Sequence, residues 1–88
     1  MHKKQSMIKG KWELILHDDS KLSFDHVMNC LVEICGHNEY QASQCALITH
    51  NTKSCSIFVD KHNDCIIVKN NLISAGLTVT IQKQKRNV

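Results

Sequence analysis

KWELILHDDSKLSFDHV, residues Lys11 to Val27, changes its hydrophobic period halfway along. Trp12, Leu14 and Leu16 alternate with Glu13, Ile15 and His17, the two-residue period of a β-strand. Asp18-Asp19-Ser20 cannot continue a buried strand, because short polar side chains bond their own local backbone and favour turns and caps. From Phe24 the apolar positions become Phe24, Val27, Met28, Leu31, Ile34 and Cys35, one face of a 3.6-residue helix. An acidic elbow therefore joins a strand end to a helix start beside hydrophobic side chains, where a carboxylate pair can receive a cation or an amine.

Working outward, Ser23 is a suitable N-cap for a helix over about Ser23 to Cys35, and Gly36 stands where a left-handed C-terminal residue is wanted. Asn38 can cap a second helix, about Glu39 to Asn51, whose Ala42, Cys45, Ala46 and Thr49 share a face of small side chains. Alternation resumes over Ser54 to Asp60, with Cys55, Ile57 and Val59 on one face and Ser54, Ser56 and Phe58 on the other. After a turn from Asp60 to Asp64, a third helix is expected from about Asp64 to Ala75. Gly76 ends it before a third strand, Leu77-Thr-Val-Thr-Ile81, rich in β-branched residues. The order β-α-α-β-α-β predicts an α+β fold, a two-layer sandwich with a three-stranded antiparallel sheet packed against three helices.

The 88 residues allow one domain, expected over 11–83, between a basic N-terminal tail at 1–10 and a basic C-terminal tail at 84–88. Seven of the eleven basic residues, Lys3, Lys4, Lys9, Lys11, Lys83, Lys85 and Arg86, lie in or next to those tails. Residues 12–82 hold four lysines against all eight acids, a formal balance of −4. A folded face that bound nucleic acid would carry a basic stripe instead, so nucleic acid is not expected as a partner. Five cysteines form no C-x-x-C pair and mostly fall on apolar faces, as expected of reduced core thiols in a cytoplasmic protein. No apolar run is long enough for a secretory signal or a membrane span, so no membrane association is expected.

The sequence carries no G-x-S-x-G, no Walker glycine loop, no H-E-x-x-H and no EF-hand loop. Its six histidines adopt no ligand spacing with a cysteine or with one another, so neither a metal nor a cofactor is expected. Cys30 and Cys35 sit in a helical stripe, where a buried thiol is expected rather than a nucleophile. An enzyme is not expected.

Three stretches carry a resemblance. Leu16 to Leu31, LHDDSKLSFDHVMNCL, resembles the L-x-N-D-D-x-T-P-M-E-F-V-x-x-V-L signature of ClpS, the adaptor of the ATP-dependent Clp protease. Ala42 to His50, ASQCALITH, is similar to the family's A-T-x-x-M-L-x-V-H, and Leu77 to Ile81, LTVTI, to its terminal strand. The resemblance implies an adaptor that holds the free amino terminus of a protein beginning with a large hydrophobic residue, an N-degron, and delivers it to a Clp AAA+ unfoldase. The implied partners are such substrates and the N-terminal domain of a ClpA- or ClpC-like unfoldase. Residue by residue, the resemblance puts the amine on Asp18, Asp19 and His50. It puts the hydrophobic side chain in a pocket of Leu22, Phe24, Val27, Ala46, Thr49 and Leu77.

The chain departs from the family pattern at Asp18, which replaces an amide, at Ser20, which replaces a second aspartate, and at Ala46, where methionine is usual. The docking glutamate and lysine of the family's third helix have no clear match near His62 to Ile67. Taken singly, the site residues have structural explanations: two acids ending a strand, a histidine near a helix C-terminus, apolar side chains in a core. The competing reading is a structural or assembly module with the fold of a ribosomal stalk protein's C-terminal domain, its basic tails contacting RNA or a translation factor. The Asp19–His50 distance separates the two: side chains that converge within one polar bridge of each other beside an empty apolar pocket favour the adaptor, and side chains that diverge favour the structural module.

Overall fold

The structure is a computed structural model that describes residues 10–84; the basic tails lie almost wholly outside the described residues. Its elements are β1 (Lys11–His17), α1 (Phe24–Cys35), α2 (Glu39–Thr52), β2 (Ser54–Lys61), α3 (His62–Ser74) and β3 (Thr78–Lys83). The order is the expected β-α-α-β-α-β. β1 is the middle strand, antiparallel to β2 on one side and to β3 on the other.

The alternation in β1 decides which sheet face is covered. Leu14 and Leu16 are fully buried under the helices, and their partners Phe58, Cys55, Ile81 and Val79 face the same core. Glu13, Ile15 and His17 turn to the opposite face with Val59, Ser56, Thr80 and Thr78. On that face His17 Nε2 and Thr80 Oγ1 share a hydrogen bond of 2.8 Å. Leu31 from α1, Ala42 from α2, and Cys65 and Leu72 from α3 complete the core, each with no exposed surface.

The local signals act as their chemistry dictates. Ser23 Oγ caps α1 by accepting from the His26 N–H at 3.0 Å, and Gly36 ends it in a left-handed conformation (φ 77°). Asn38 and Gln41 exchange side-chain and backbone hydrogen bonds in a capping box that starts α2. The small face of α2, with Ala42 at 0% and Ala46 and Thr49 at 4% exposure, lets that helix lie close to its neighbours.

Two expectations are corrected. Val59 does not share a face with Cys55 and Ile57: the register shifts so that Leu14 pairs with Phe58 and Ile15 with Ser56, leaving Ile57 as an extra residue. This bulge turns Phe58 inward and Val59 outward, opposite Glu13. The backbone of a bulged residue drops out of the ladder, and here His37 Nε2 donates to the Ile57 carbonyl at 2.7 Å from the α1–α2 corner. The Asp60–Asp64 turn is also absent, because β2 runs to Lys61 and α3 begins at once with His62. The His62 ring packs edge-on against Trp12 with centroids 4.7 Å apart, and the Lys61 ammonium lies 3.1 Å from the Asp64 carboxylate. These contacts lie at the first turn of α3, which has no side-chain cap hydrogen bond.

Candidate functional site

The end of β1 sets the site. The strand is paired on both sides as far as His17, and Asp18 continues the tie by donating its N–H to the Lys53 carbonyl at 2.9 Å. The chain then turns: the Leu22 N–H donates to the Asp19 carbonyl at 3.1 Å, and the Lys21 N–H to Asp19 Oδ1 at 2.9 Å. This Asx turn is the polar elbow, and it delivers the chain to the Ser23 cap of α1. The last turns of α2 stand opposite.

Between them lies a cavity of about 310 Å³. Leu16, Leu22, Phe24, Val27, Ala46 and Thr49 provide its apolar lining, and His17, Asp18, Asp19, Ser20, Ser23 and His50 its polar margin. Its size is at the small end for ligand pockets, matching one large side chain rather than an extended ligand. Ala46 and Thr49 are buried, while Phe24 is 46% exposed. Thr49 Oγ1 donates to the Cys45 carbonyl of its own helix at 2.8 Å, so its hydroxyl proton is already engaged and adds no free donor to an apolar wall.

The polar margin is asymmetric. Asp18, whose side chain is 25% exposed, lies between two cationic or polarisable groups from the end of α2: His50 Nδ1 is 3.8 Å from its Oδ1, and Lys53 Nζ is 3.6 Å from its Oδ2. His50 therefore approaches Asp18 and not Asp19, whose Oδ1 is turned to the elbow backbone. An ammonium group brought out of water needs acceptors, and charge-assisted bonds to carboxylate are among the strongest it can make. Two carboxylates and an imidazole above an apolar hollow are a chemically suitable receptor for a primary amine attached to a hydrophobic side chain.

The structure brings Asp18, Asp19, His50, Leu22, Phe24, Val27, Ala46 and Thr49 to this cavity. Leu77 is placed elsewhere, in the core at 3% exposure, outside the lining. Leu16, His17, Ser20 and Ser23 line the cavity without having been singled out, although their adjacency to the elbow is the signal that places them. Lys53 had no such signal. It is the one non-glycine residue with positive φ (82°) among the described residues, at a helix end where glycine is the usual cue. No group of three or more histidine, cysteine, aspartate or glutamate side chains is arranged to hold a metal among the described residues.

Residues 8–80 match the family model of the ATP-dependent Clp protease adaptor protein ClpS. A comparison with curated individual proteins gives no match.

Proposed function

The chain belongs to the ClpS family of ATP-dependent Clp protease adaptors, and we propose that it works by holding the free N-terminus of proteins that begin with a large hydrophobic residue. ClpS is an adaptor family, not a protease, and its members partner with Clp chaperones. In this reading the chain itself catalyses nothing. Asp18, Asp19 and His50 hold the α-ammonium, and Leu22, Phe24, Val27, Ala46 and Thr49 receive the first side chain. The observation that supports it is the joining of the elbow carboxylates and His50 to one apolar cavity from segments 31 residues apart in sequence, Asp19 to His50.

The captured protein would then pass to the N-terminal domain of a ClpA- or ClpC-like unfoldase, in the cytoplasm. Among the described residues no helix is long and apolar enough to cross a membrane. Capture is supported by the site itself, whereas delivery is supported by the family alone, since the residues before Gly10 lie outside the described part.

The test is calorimetric titration with a peptide beginning with Leu and with the same peptide acetylated at its amine. The free peptide is expected to bind and the acetylated one not, because a neutral amide offers Asp18 and Asp19 no charge-assisted bond in exchange for the water they lose. Equal binding of both would replace this reading with that of a hydrophobic groove.

A further inference from the structure

We propose that Lys53 sets a preference for the charge of the second residue of the bound chain, by exchanging its ion-pair partner when the amine arrives; this rests on the amine-binding reading above. Lys53 lies outside the cavity lining, but its Nζ is 3.6 Å from Oδ2 of Asp18, which does line it, and 78% of the Lys53 side chain is exposed. It thus occupies, from within the chain, one oxygen of a carboxylate that the α-ammonium would claim. The backbone supplies a second, independent observation. Lys53 has φ 82° and closes α2 through its N–H to the Thr49 carbonyl at 2.8 Å, a position where a side chain is strained and glycine is not. The lysine side chain thus stands on backbone that favours glycine.

When an α-ammonium reaches Asp18, two ammonium groups share one carboxylate, with the His50 ring 3.8 Å away on the other oxygen. Lys53 is then released or pushed outward, and the margin gains an unpaired positive charge. The second residue of the ligand follows the amine by one peptide unit, so its side chain is the nearest ligand group able to meet that charge. A Glu or Asp there forms a new pair with Lys53, and a Lys or Arg there is repelled. Lys53 is a specificity-determining residue in this account.

The experiment titrates peptides that begin Leu-Glu, Leu-Ser and Leu-Lys, otherwise identical, into the wild type, Lys53→Met and Lys53→Glu. The wild type is expected to bind Leu-Glu tighter than Leu-Ser and Leu-Ser tighter than Leu-Lys, with steps of about two- to fivefold, the scale of an exposed ion pair. Lys53→Met should level the three and Lys53→Glu should invert them. All differences should shrink in about 0.5 M salt, where charges are screened within a few ångströms. An identical ranking in wild type and Lys53→Met, with Leu-peptides still bound, overturns the role of Lys53 and leaves the amine-binding reading standing. Binding of no peptide by any of the three folded proteins overturns both.

Discussion

Asp18 and Lys53 are joined twice, through the Asp18 N–H to the Lys53 carbonyl at 2.9 Å and through their side chains at 3.6 Å. The double tie fastens the end of α2 to the end of β1 and so fixes the spacing between His50 and the elbow. It also means that the carboxylate which faces His50 is held by its backbone independently of its charge.

Asp18→Ala should therefore fold normally and still lose ligand. Removing a charged partner of a desolvated ammonium costs about 1–3 kcal/mol, and the same is expected of His50→Ala. Calorimetry with Leu- and Phe-starting peptides measures the loss, and circular dichroism checks the fold. Two folded variants with wild-type affinity would remove the amine from this site.

Ala46 is 4% exposed and lines the cavity, so its size helps define the space for the first side chain. Ala46→Met adds three heavy atoms there and should exclude β-branched side chains, which the wild type is expected to admit alongside Leu and Phe. A difference of a methylene is worth about 1–3 kcal/mol in such a pocket. Competition among Leu-, Phe-, Ile- and Val-starting peptides on both proteins reads this directly, and an unchanged order would show that Ala46 does not set the selection.

Gly36 and Lys53 end their helices in the same left-handed conformation, φ 77° and 82°. Nothing lies within 4 Å of a Cβ built on Gly36, so Gly36→Ala meets only backbone strain and should cost about 1 kcal/mol. Lys53→Gly relieves that strain and should stabilise by about 0.5–1 kcal/mol, a rise of a few degrees in Tm for a domain of this size. Thermal unfolding of the pair should show opposite shifts; a fall in Tm for both would mean that the Lys53 side chain contributes more to the fold than its backbone strain costs.

Burial, followed by the neighbouring Cys45 and Cys30 thiols, pushes the Cys35 thiol up to about 12. Burial, followed by a hydrogen bond with Cys55, pushes Cys45 up to about 11. Thiolate is the reactive form, so iodoacetamide near about pH 8 should label these two slowly in the native chain and readily in urea. The folded values are raised above the ordinary 9.0, so the stability they confer is complete below that value and is lost as the pH climbs from it towards 12. Urea unfolding at about pH 8 and about pH 10 should show the decline, and Cys35→Ala should reduce it. A decline of the same size in Cys35→Ala would assign it to other groups.

Period and caps made most of this fold legible. The switch from two-residue to 3.6-residue spacing across Asp18-Asp19-Ser20 located β1 and α1, and Ser23, Gly36 and Asn38 act at the ends they were expected to mark. What stayed hidden depended on long-range contacts. The bulge at Ile57 is set by pairing with β1 and by His37 reaching its carbonyl, neither of which appears in the alternation of Ser54 to Asp60. The start of α3 was misplaced because Lys61 has no side-chain acceptor to announce a cap, and the ring of Trp12, 50 residues earlier, helps hold His62 in place. At the site, the residues that the resemblance implies from the elbow, α1 and α2 line one cavity, and Leu77 does not. Leu77 instead fills the core just before β3. A left-handed lysine has no sequence signature, so nothing in the sequence marks Lys53.

β1 carries a kinetic consequence. Because the middle strand is bonded on both edges to its last residue, and Asp18 extends that bonding by one, the Asp18 carboxylate at the cavity margin hangs from backbone that the sheet holds in place. The entropy of holding Asp18 in position is lost when the sheet forms, not when a ligand lands, so capture involves no lid and no ordering of Asp18's backbone. Association should then proceed in a single phase at an encounter-limited rate, about 10⁵–10⁷ M⁻¹s⁻¹ for a pre-organised surface, and the Asp18 amide should exchange with deuterium only as the whole domain opens.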